Sequence, residues 1–319
     1  MSDPSQPVSL DAPGVHCALG TIGTQRRATS IGFVAVLMWA LLALFTAATG
    51  EVPPFQLAAM TFAIAFSLAL TKWLVRGEDI SAHLRQRPLV WAVGVGGLFG
   101  YHFFYFLALR NAPAVEASLI AYLWPLLIVV LSALLPGERL RWWHLAGALA
   151  GLAGAAMLIL GKQGLSGQDT LGDINLQSGH FAAMACAFIW SGYSLMSRRL
   201  GNVPTDTVGG FCGVTALLAV LAHLAFEETV WPSDTVQWLA VAGLGLGPVG
   251  LAFFCWDYGV KRGHIQALGA SSYAAPLLST LILILFGFAP LTWAIGLACL
   301  LITGGAVLAS VDLLRPKAN

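Results

Sequence analysis

Two short stretches of the sequence each place a tyrosine three residues before a proline inside a long apolar run. Residues 121–125 read Ala-Tyr-Leu-Trp-Pro, and residues 272–276 read Ser-Tyr-Ala-Ala-Pro. The two tyrosines are 151 residues apart, and so are Pro125 and Pro276. A proline in a helix removes one backbone donor and frees the carbonyl four residues earlier, which for Pro276 is that of Ser272. The spacing predicts helix kinks at Pro125 and Pro276 and two half-sites that face one cavity.

Further aromatic residues lie near the centres of other apolar runs. A tryptophan at mid-depth in a membrane finds no partner for its indole N–H in lipid, so we expect the central tryptophans to face inward. Plain packing between helices is the alternative for these tryptophans, and a buried core histidine is the alternative for His102. The predicted substrate-binding residues are Trp39, Tyr101, His102, Tyr105, Tyr122, Trp124, Trp190, Ser271, Ser272 and Tyr273. Such a lining suits a flat, mostly apolar molecule with a few hydrogen-bonding groups.

The composition identifies the class of protein that holds these residues. Of the 319 residues 58% are apolar and 10% are charged, whereas a soluble domain carries about a quarter charged residues. The chain is therefore expected to cross a membrane several times, in contact with the lipid bilayer. A net charge of +1 implies no attraction to nucleic acid. The five cysteines are scattered without a Cys-x-x-Cys pair, so no disulfide framework, metal site or cofactor is predicted.

Ten apolar runs are long enough to cross a bilayer, which takes about 20 residues per helix. They are residues 31–50, 54–75, 88–109, 113–135, 142–161, 179–198, 205–226, 235–259, 264–287 and 290–313. The polar composition of residues 1–30 predicts a disordered cytoplasmic N-terminus. Residues 161–178 are rich in Gly, Ser and Asp and predict a linker between two halves, 31–160 and 179–313. Residues 314–319 form the predicted cytoplasmic tail.

The positions of lysine and arginine predict the orientation. With ten spans and the N-terminus inside, 14 of the 16 basic residues fall on the inner side and only Arg110 and Lys162 on the outer side. Cytoplasmic loops carry this excess of basic residues in membrane proteins. Both termini are therefore expected in the cytoplasm.

The offset of 151 residues recurs through the whole chain. It relates Trp39 to Trp190, Trp142 to Trp293, and the glycine-rich third and eighth helices through Gly94 and Gly245. Each half contains five predicted helices, an odd number, so the second half must enter the membrane upside down. Inverted repeats of this kind are typical of transporters that bind their substrate near the midplane. The predicted fold is all-α, with ten transmembrane helices arranged as two inverted five-helix repeats.

Residues 108–120, the Tyr-Leu-Trp-Pro stretch and the Pro-Gly-Glu-Arg-Leu turn at 136–140 carry a resemblance to a known family. The chain resembles the drug/metabolite transporter superfamily in its ten-helix EamA-type form, over about residues 31–313. The Tyr-Leu-Trp-Pro form is similar to the branch of aromatic amino acid exporters. This resemblance implies a multi-pass protein of the bacterial inner membrane that exports amino acids by alternating access.

The charged residues inside the spans limit the mechanism. No lysine or arginine lies at mid-depth, which argues against phosphorylated substrates. Asp257 precedes Lys261 by four residues and predicts an ion pair, whereas Glu116 either gates the outer mouth or reaches outer water. No catalytic motif indicates an enzyme. A facilitator and a proton exchanger both remain open, as does export of flat organic cations or other xenobiotics, and a monomer is expected.

Overall fold

A computed structural model describes residues 13–166, 178–285 and 292–314 of the chain. Throughout these residues the secondary structure is helical, and no strand occurs among them. Ten membrane helices, α1–α10, follow one another with short connections. One connection, between α2 and α3, contains a short helix of its own, Ile80–Leu84.

The first half contains α1 to α5, and three of these helices, α1, α3 and α4, are built from two α-helical segments each. Their bounds are α1, Pro13–Ala40 and Leu42–Ala48; α2, Pro54–Arg76; α3, Pro88–Val95 and Tyr101–Asn111, joined by a π-helical turn, Gly96–Gly100; α4, Ala114–Ala121 and Trp124–Leu131; and α5, Trp142–Ser166.

The second half contains α6 to α10 and follows the same plan. The bounds are α6, Ser178–Arg199; α7, Thr207–Phe226; α8, Thr235–Leu246 and Ala252–Arg262, joined by a π-helical turn, Gly247–Leu251; α9, Ile265–Ser271 and Ala274–Leu285; and α10, Trp293–Ala309. A last helical turn, Val311–Leu314, follows α10.

Seven helices, α1–α5, α7 and α8, are long and apolar enough by themselves to cross a membrane. The other three helices are shorter or less apolar, each for a physical reason. Helix α6 carries several serines and two arginines and is largely buried by its neighbours. Helix α9 is interrupted at Ser272, and its C-terminal end runs towards residues outside the described ranges. Helix α10 is apolar but only 17 residues long.

Two segment boundaries differ from those expected from sequence. Helix α1 begins at Pro13, so residues 13–30 are helical rather than disordered. Proline is well suited to a first helical position because its fixed φ is already helical. Helix α5 continues to Ser166 and α6 begins at Ser178, so only 167–177 remain of the predicted linker, and these lie outside the described residues. Residues 1–12 and 315–319 of the predicted termini also lie outside them.

The helices pair across the two halves as an inverted repeat requires. Helices α5 and α10 pack together, as do α2 and α7, and each is the other's repeat mate. Helix α1 packs on α8, and its mate α6 packs on α3, the mate of α8. Helices α5 and α10 approach closely, since a Cβ on Gly147 would lie 2.4 Å from the carbonyl oxygen of Gly305.

The interruptions of α3 and α4 recur at equivalent positions of α8 and α9, whereas the break of α1 has no counterpart in the continuous helix α6. The π-helical turns of α3 and α8 begin at Gly96 and Gly247, 151 residues apart. Helix α4 is interrupted at 122–123 and α9 at 272–273, in the turn before Pro125 and Pro276. Since π-helical turns frequently mark functional sites, these interruptions direct attention to the centre of the bundle.

Candidate functional site

Four indoles meet at the centre of the bundle. The ring centroid of Trp39 lies 6.2 Å from that of Trp124, 5.6 Å from that of Trp190 and 5.2 Å from that of Trp256. Trp124 lies 6.2 Å from Trp190 and 5.7 Å from Trp256, both edge to face. The repeat mates Trp39 and Trp190 are thus in edge-to-face contact, and both face inward as expected. We call these four residues the indole cluster.

Two hydrogen bonds position the indole cluster. Trp39 stands beside the break in α1, and its Nε1 donates to the carbonyl oxygen of Pro248 at 3.1 Å. That carbonyl belongs to the π-helical turn of α8. Trp256 Nε1 donates to the Ser194 hydroxyl at 3.0 Å, which joins α8 to α6. The polar edges of two indoles are thus satisfied by protein, and their faces remain for contacts with other rings.

Tyrosines of α3 extend the aromatic surface. Tyr101 lies 5.5 Å from Trp190 and stacks on Tyr105 at 5.9 Å, one helical turn further. Tyr101, Tyr105 and Tyr122 are partly exposed, whereas Trp124 and Trp190 are buried. Tyr101 and Tyr105 thus continue the aromatic surface of the indole cluster along α3, whereas Tyr122 packs against the group of side chains around Tyr273.

His102 has one ring nitrogen committed to the backbone. Its Nδ1 lies 2.7 Å from the carbonyl oxygen of Leu98. A carbonyl only accepts, so Nδ1 carries the proton, and in the neutral ring Nε2 is an acceptor. The ring also stands edge to face against Phe62 and Phe253, 5.1 and 6.4 Å away. His102 therefore offers a ligand one acceptor within an aromatic wall.

Sequence reasoning missed two members of this wall, Trp256 and Phe253. Phe253 lies 6.3 Å from Trp39 and 5.7 Å from Trp190. The signal for both was present in the repeat, since they stand 151 residues after His102 and Tyr105. Aromatic residues of α3 and their repeat mates on α8 therefore both contact the indole cluster.

The predicted site residues of α9 lie elsewhere. Tyr273 is fully buried between α5 and α10, and its hydroxyl accepts a hydrogen bond from the Leu126 N–H at 3.2 Å. Ser271 and Ser272 both donate to the Leu268 carbonyl, at 3.1 and 2.7 Å. The Ser272 carbonyl, expected to be free, accepts from the Ala275 N–H at 3.1 Å. The structure does not bring these three residues to the indole cluster.

The two ends of the bundle differ in exposure. We call the end where α6 and α8 finish, near Arg198 and Lys261, the basic end. On α6 towards this end, Tyr193 is 3% exposed and Ser194 is fully buried. Their repeat mates towards the opposite end are exposed, Leu42 at 40% and Ala43 as well. Equivalent positions of α6 and α1 are therefore covered by neighbouring helices towards the basic end and uncovered towards the opposite end.

The two acidic residues inside the spans are both paired. Lys261 Nζ donates to Asp257 Oδ2 at 2.7 Å, which confirms the predicted ion pair, and the Thr205 hydroxyl donates to the same oxygen at 2.7 Å. Glu116, at the start of α4, lies 2.6 Å from His180, at the start of α6. Glu116 therefore contacts a neighbouring helix at the opposite end rather than only outer water.

One polar cluster at the basic end has the side chains of a metal site, formed by His144, His264 and Asp312. Both Nδ1 atoms accept backbone N–H groups at 3.2 Å, from Arg141 and from Ala267. Each neutral ring therefore carries its proton on Nε2, and His144 Nε2 faces Asp312 Oδ2 at 3.0 Å. A metal ligand needs a lone pair at that nitrogen, so this arrangement favours hydrogen bonding to the carboxylate.

Comparison with known proteins identifies the family of this chain. The model of the EamA-like transporter family matches residues 27–160 and again residues 177–311. An aromatic amino acid exporter YddG from Ancylobacter novellus is 54% identical over 288 residues, covering 90% of this chain and 98% of its own. The protein of the same name from Escherichia coli is 24% identical and covers 89% of this chain and 97% of its own.

A solved crystal structure is also similar. It has 52% sequence identity, a TM-score of 0.83, and covers 91% of this chain and 99% of its own. The family model accounts for both repeats, and its two matches are separated by the segment predicted to link them. The chain belongs to the EamA-like transporter family, and it is a multi-pass protein of the inner membrane.

Proposed function

We propose that this protein exports aromatic and other apolar amino acids across the inner membrane by alternating access. The observation that carries the proposal is the indole cluster with the partly exposed tyrosines beside it. Rings held edge to face or offset gain about 0.5–1.5 kcal/mol per pair beyond area burial. A flat aromatic side chain is the solute that gains most from such a wall. The similar exporters from Ancylobacter novellus and Escherichia coli support the same class of substrate.

The backbone groups of an amino acid need polar partners near this wall. Tyr101, Tyr105 and Tyr122 supply hydroxyl groups, and His102 supplies an acceptor nitrogen. A hydroxyl both donates and accepts, so these groups can bind a carboxylate and an ammonium without a charged side chain. The spans carry no lysine or arginine at mid-depth, which favours a zwitterion over an anion.

Proteoliposome counterflow tests this proposal. Vesicles loaded with unlabelled phenylalanine should accumulate labelled tryptophan, with no need for a proton gradient. Flux that appears only with an imposed gradient would contradict the facilitator mechanism and favour proton exchange. Flux of flat organic cations but not of amino acids would overturn the substrate assignment.

We further propose that the basic end faces the cytoplasm and that the protein acts as a monomer. The distribution of 14 basic residues to one side supports the orientation. Labelling of single cysteines at Arg27 and Arg110 with an impermeant reagent in intact cells tests it. Only the cysteine at position 110 should react. The mass of the detergent-solubilised protein from light scattering tests the monomer.

A further inference from the structure

Arg198, the penultimate residue of α6, connects four parts of the bundle at the basic end. Its Nη1 donates to the carbonyl oxygens of Val260 and Gly263, each at 2.8 Å, at the C-terminal end of α8. Its Nη2 donates to Glu138, in the connection between α4 and α5. The other oxygen of Glu138 accepts from Gln266 Nε2 at 3.0 Å, at the start of α9. We call Arg198, Glu138 and Gln266 the latch.

The side chains of the latch have no polar counterparts at the repeat-equivalent positions. With the repeat offset of 151 residues, Arg198 corresponds to Ala47, Glu138 to Ala289 and Gln266 to Val115. None of these three side chains can form an ion pair or a hydrogen bond. Inverted repeats that alternate between two access states close each end in turn. This protein therefore closes its two ends with different chemistry.

The packing follows the same asymmetry. Helices α6 and α8 pack against each other towards the basic end, where Trp256 donates to Ser194 and Arg198 reaches Val260. The equivalent pair is α1 with α3. Among the described residues the second segment of α1 packs on α8 and α9 and forms no such interface with α3. The structure thus captures one access state, closed where the latch is present.

We infer that Arg198 is a positioning residue that holds the basic end closed and sets the ratio between the two access states. This inference rests on the proposed alternating access. Arg198 lies eight residues after Trp190, so about 12 Å of helix separates it from the indole cluster. It therefore acts on transport through the closed conformation and not through contact with the transported molecule. The guanidinium suits this role because its five donors can satisfy two carbonyls and a carboxylate at once.

Accessibility of the closed interface provides the test. Val260 is fully buried beside the latch, and its contact with Arg198 uses only the backbone carbonyl. Val260→Cys, in a cysteine-free background that retains transport, gives a reporter for an impermeant maleimide added from the basic-end side. Arg198→Gln should raise the labelling rate at least about tenfold, because a network of charge-assisted hydrogen bonds is lost. Arg198→Lys should give an intermediate rate.

The chain offers a matched control for the charge. Arg139 is exposed and forms no ion pair within the described part of the chain, so Arg139→Gln should leave labelling at position 260 unchanged. A second reporter, Ala148→Cys, lies fully buried in α5 and away from the α6–α8 interface. It should stay unreactive in Arg198→Gln. Faster labelling at both reporters would indicate general loosening and overturn the inference.

Transport kinetics distinguish the latch from a merely structural role. If Arg198→Gln depopulates the state open to the opposite end, the apparent KM measured from that end should rise in inverse proportion to the population that remains in that state. Glu138→Gln should shift labelling and KM in the same direction, which keeps the test usable if Arg198→Gln does not insert. Unchanged labelling in both variants would overturn the inference. Labelling requires no substrate, so its outcome is independent of whether amino acids are transported.

Discussion

The indole nitrogen of Trp39 lies 3.1 Å from the carbonyl oxygen of Pro248 and donates a hydrogen bond to it. This contact joins the first repeat to the second at the centre of the membrane. It connects the break in α1 with the π-helical turn of α8, two irregular backbone segments that need outside partners. The indole cluster therefore depends on backbone geometry as much as on ring packing.

Removing this hydrogen bond should reduce transport. Trp39→Phe keeps an aromatic ring but leaves the Pro248 carbonyl without its donor, at a cost of about 1 kcal/mol. Such a loss corresponds to about a fivefold lower kcat/KM in counterflow. Trp142→Phe is the matched control, because Trp142 is 71% exposed and far from the cluster. Equal losses in both variants would show that the effect does not come from the site.

Tyr273 should matter for stability and Tyr122 for transport. In a continuous helix the Leu126 N–H would bond to the Tyr122 carbonyl, but α4 is interrupted there, and Tyr273 Oη accepts this hydrogen bond instead. Tyr273→Phe leaves a buried donor unpaired and should lower the free energy of unfolding by about 1–3 kcal/mol. Its KM should stay unchanged.

Tyr122→Phe is the companion variant, since it removes the hydroxyl of a partly exposed tyrosine. It should raise KM with little effect on the thermal midpoint in detergent. A change of KM in Tyr273→Phe with no loss of stability would return Tyr273 to the binding site.

Two adjacent glycines of α10 should respond oppositely to alanine. A Cβ on Gly305 would lie 2.5 Å from the carbonyl oxygen of Gly147, a backbone atom that cannot move alone. Gly305→Ala should therefore destabilise by about 1–3 kcal/mol. This loss is offset in part by a gain of up to about 1 kcal/mol in helix propensity. A Cβ on Gly304 meets nothing within 4 Å, so Gly304→Ala should be neutral or stabilising. Thermal unfolding of both variants measures the difference.

Acid should destabilise the protein partly through His264. Burial lowers the pKa of His264 from 6.5 to about 4, and the neighbouring His144 adds to the shift. The unfolded chain binds the proton first as the pH falls, so stability contributed by neutral His264 is lost between pH 6.5 and about 4. The expected slope is at most about 1.4 kcal/mol per pH unit.

His264→Asn separates this effect from other acidic groups. His264 caps α9 by accepting the Ala267 N–H, and asparagine can fill the same position. The variant should therefore keep most of the stability at pH 7.5 and lose less than the wild type at pH 5. Parallel pH profiles of the thermal midpoint would show that His264 does not contribute.

The membrane class, the repeat and the inward-facing tryptophans could be predicted from the sequence because each depends on a pattern that burial enforces. Lipid excludes unpaired indole nitrogens, and duplication places Trp39 and Trp190 at equivalent positions. The 151-residue offset, applied to His102 and Tyr105, also identifies Phe253 and Trp256. The structure does not place Tyr273, Ser271 and Ser272 at the predicted site. The depth of a residue in the membrane and its polarity do not specify which neighbouring helix its side chain faces.

By itself the sequence determined which elements exist, the interruptions of α4 and α9 near their prolines, and which residues correspond across the repeat, since hydropathy, proline and the 151-residue offset are local or periodic properties. The break of α1 and the π-helical turns of α3 and α8 appeared only in the structure. Only the tertiary structure decided the partner of each polar group. Tyr273 accepts a hydrogen bond from a backbone N–H of α4, and Arg198, Glu138 and Gln266 together join four elements. Equivalent positions of α1 and α6 differ in exposure. These features depend on helix rotation and on contacts between residues distant in the chain, and two related half-sequences can pack unequally while retaining the same pattern.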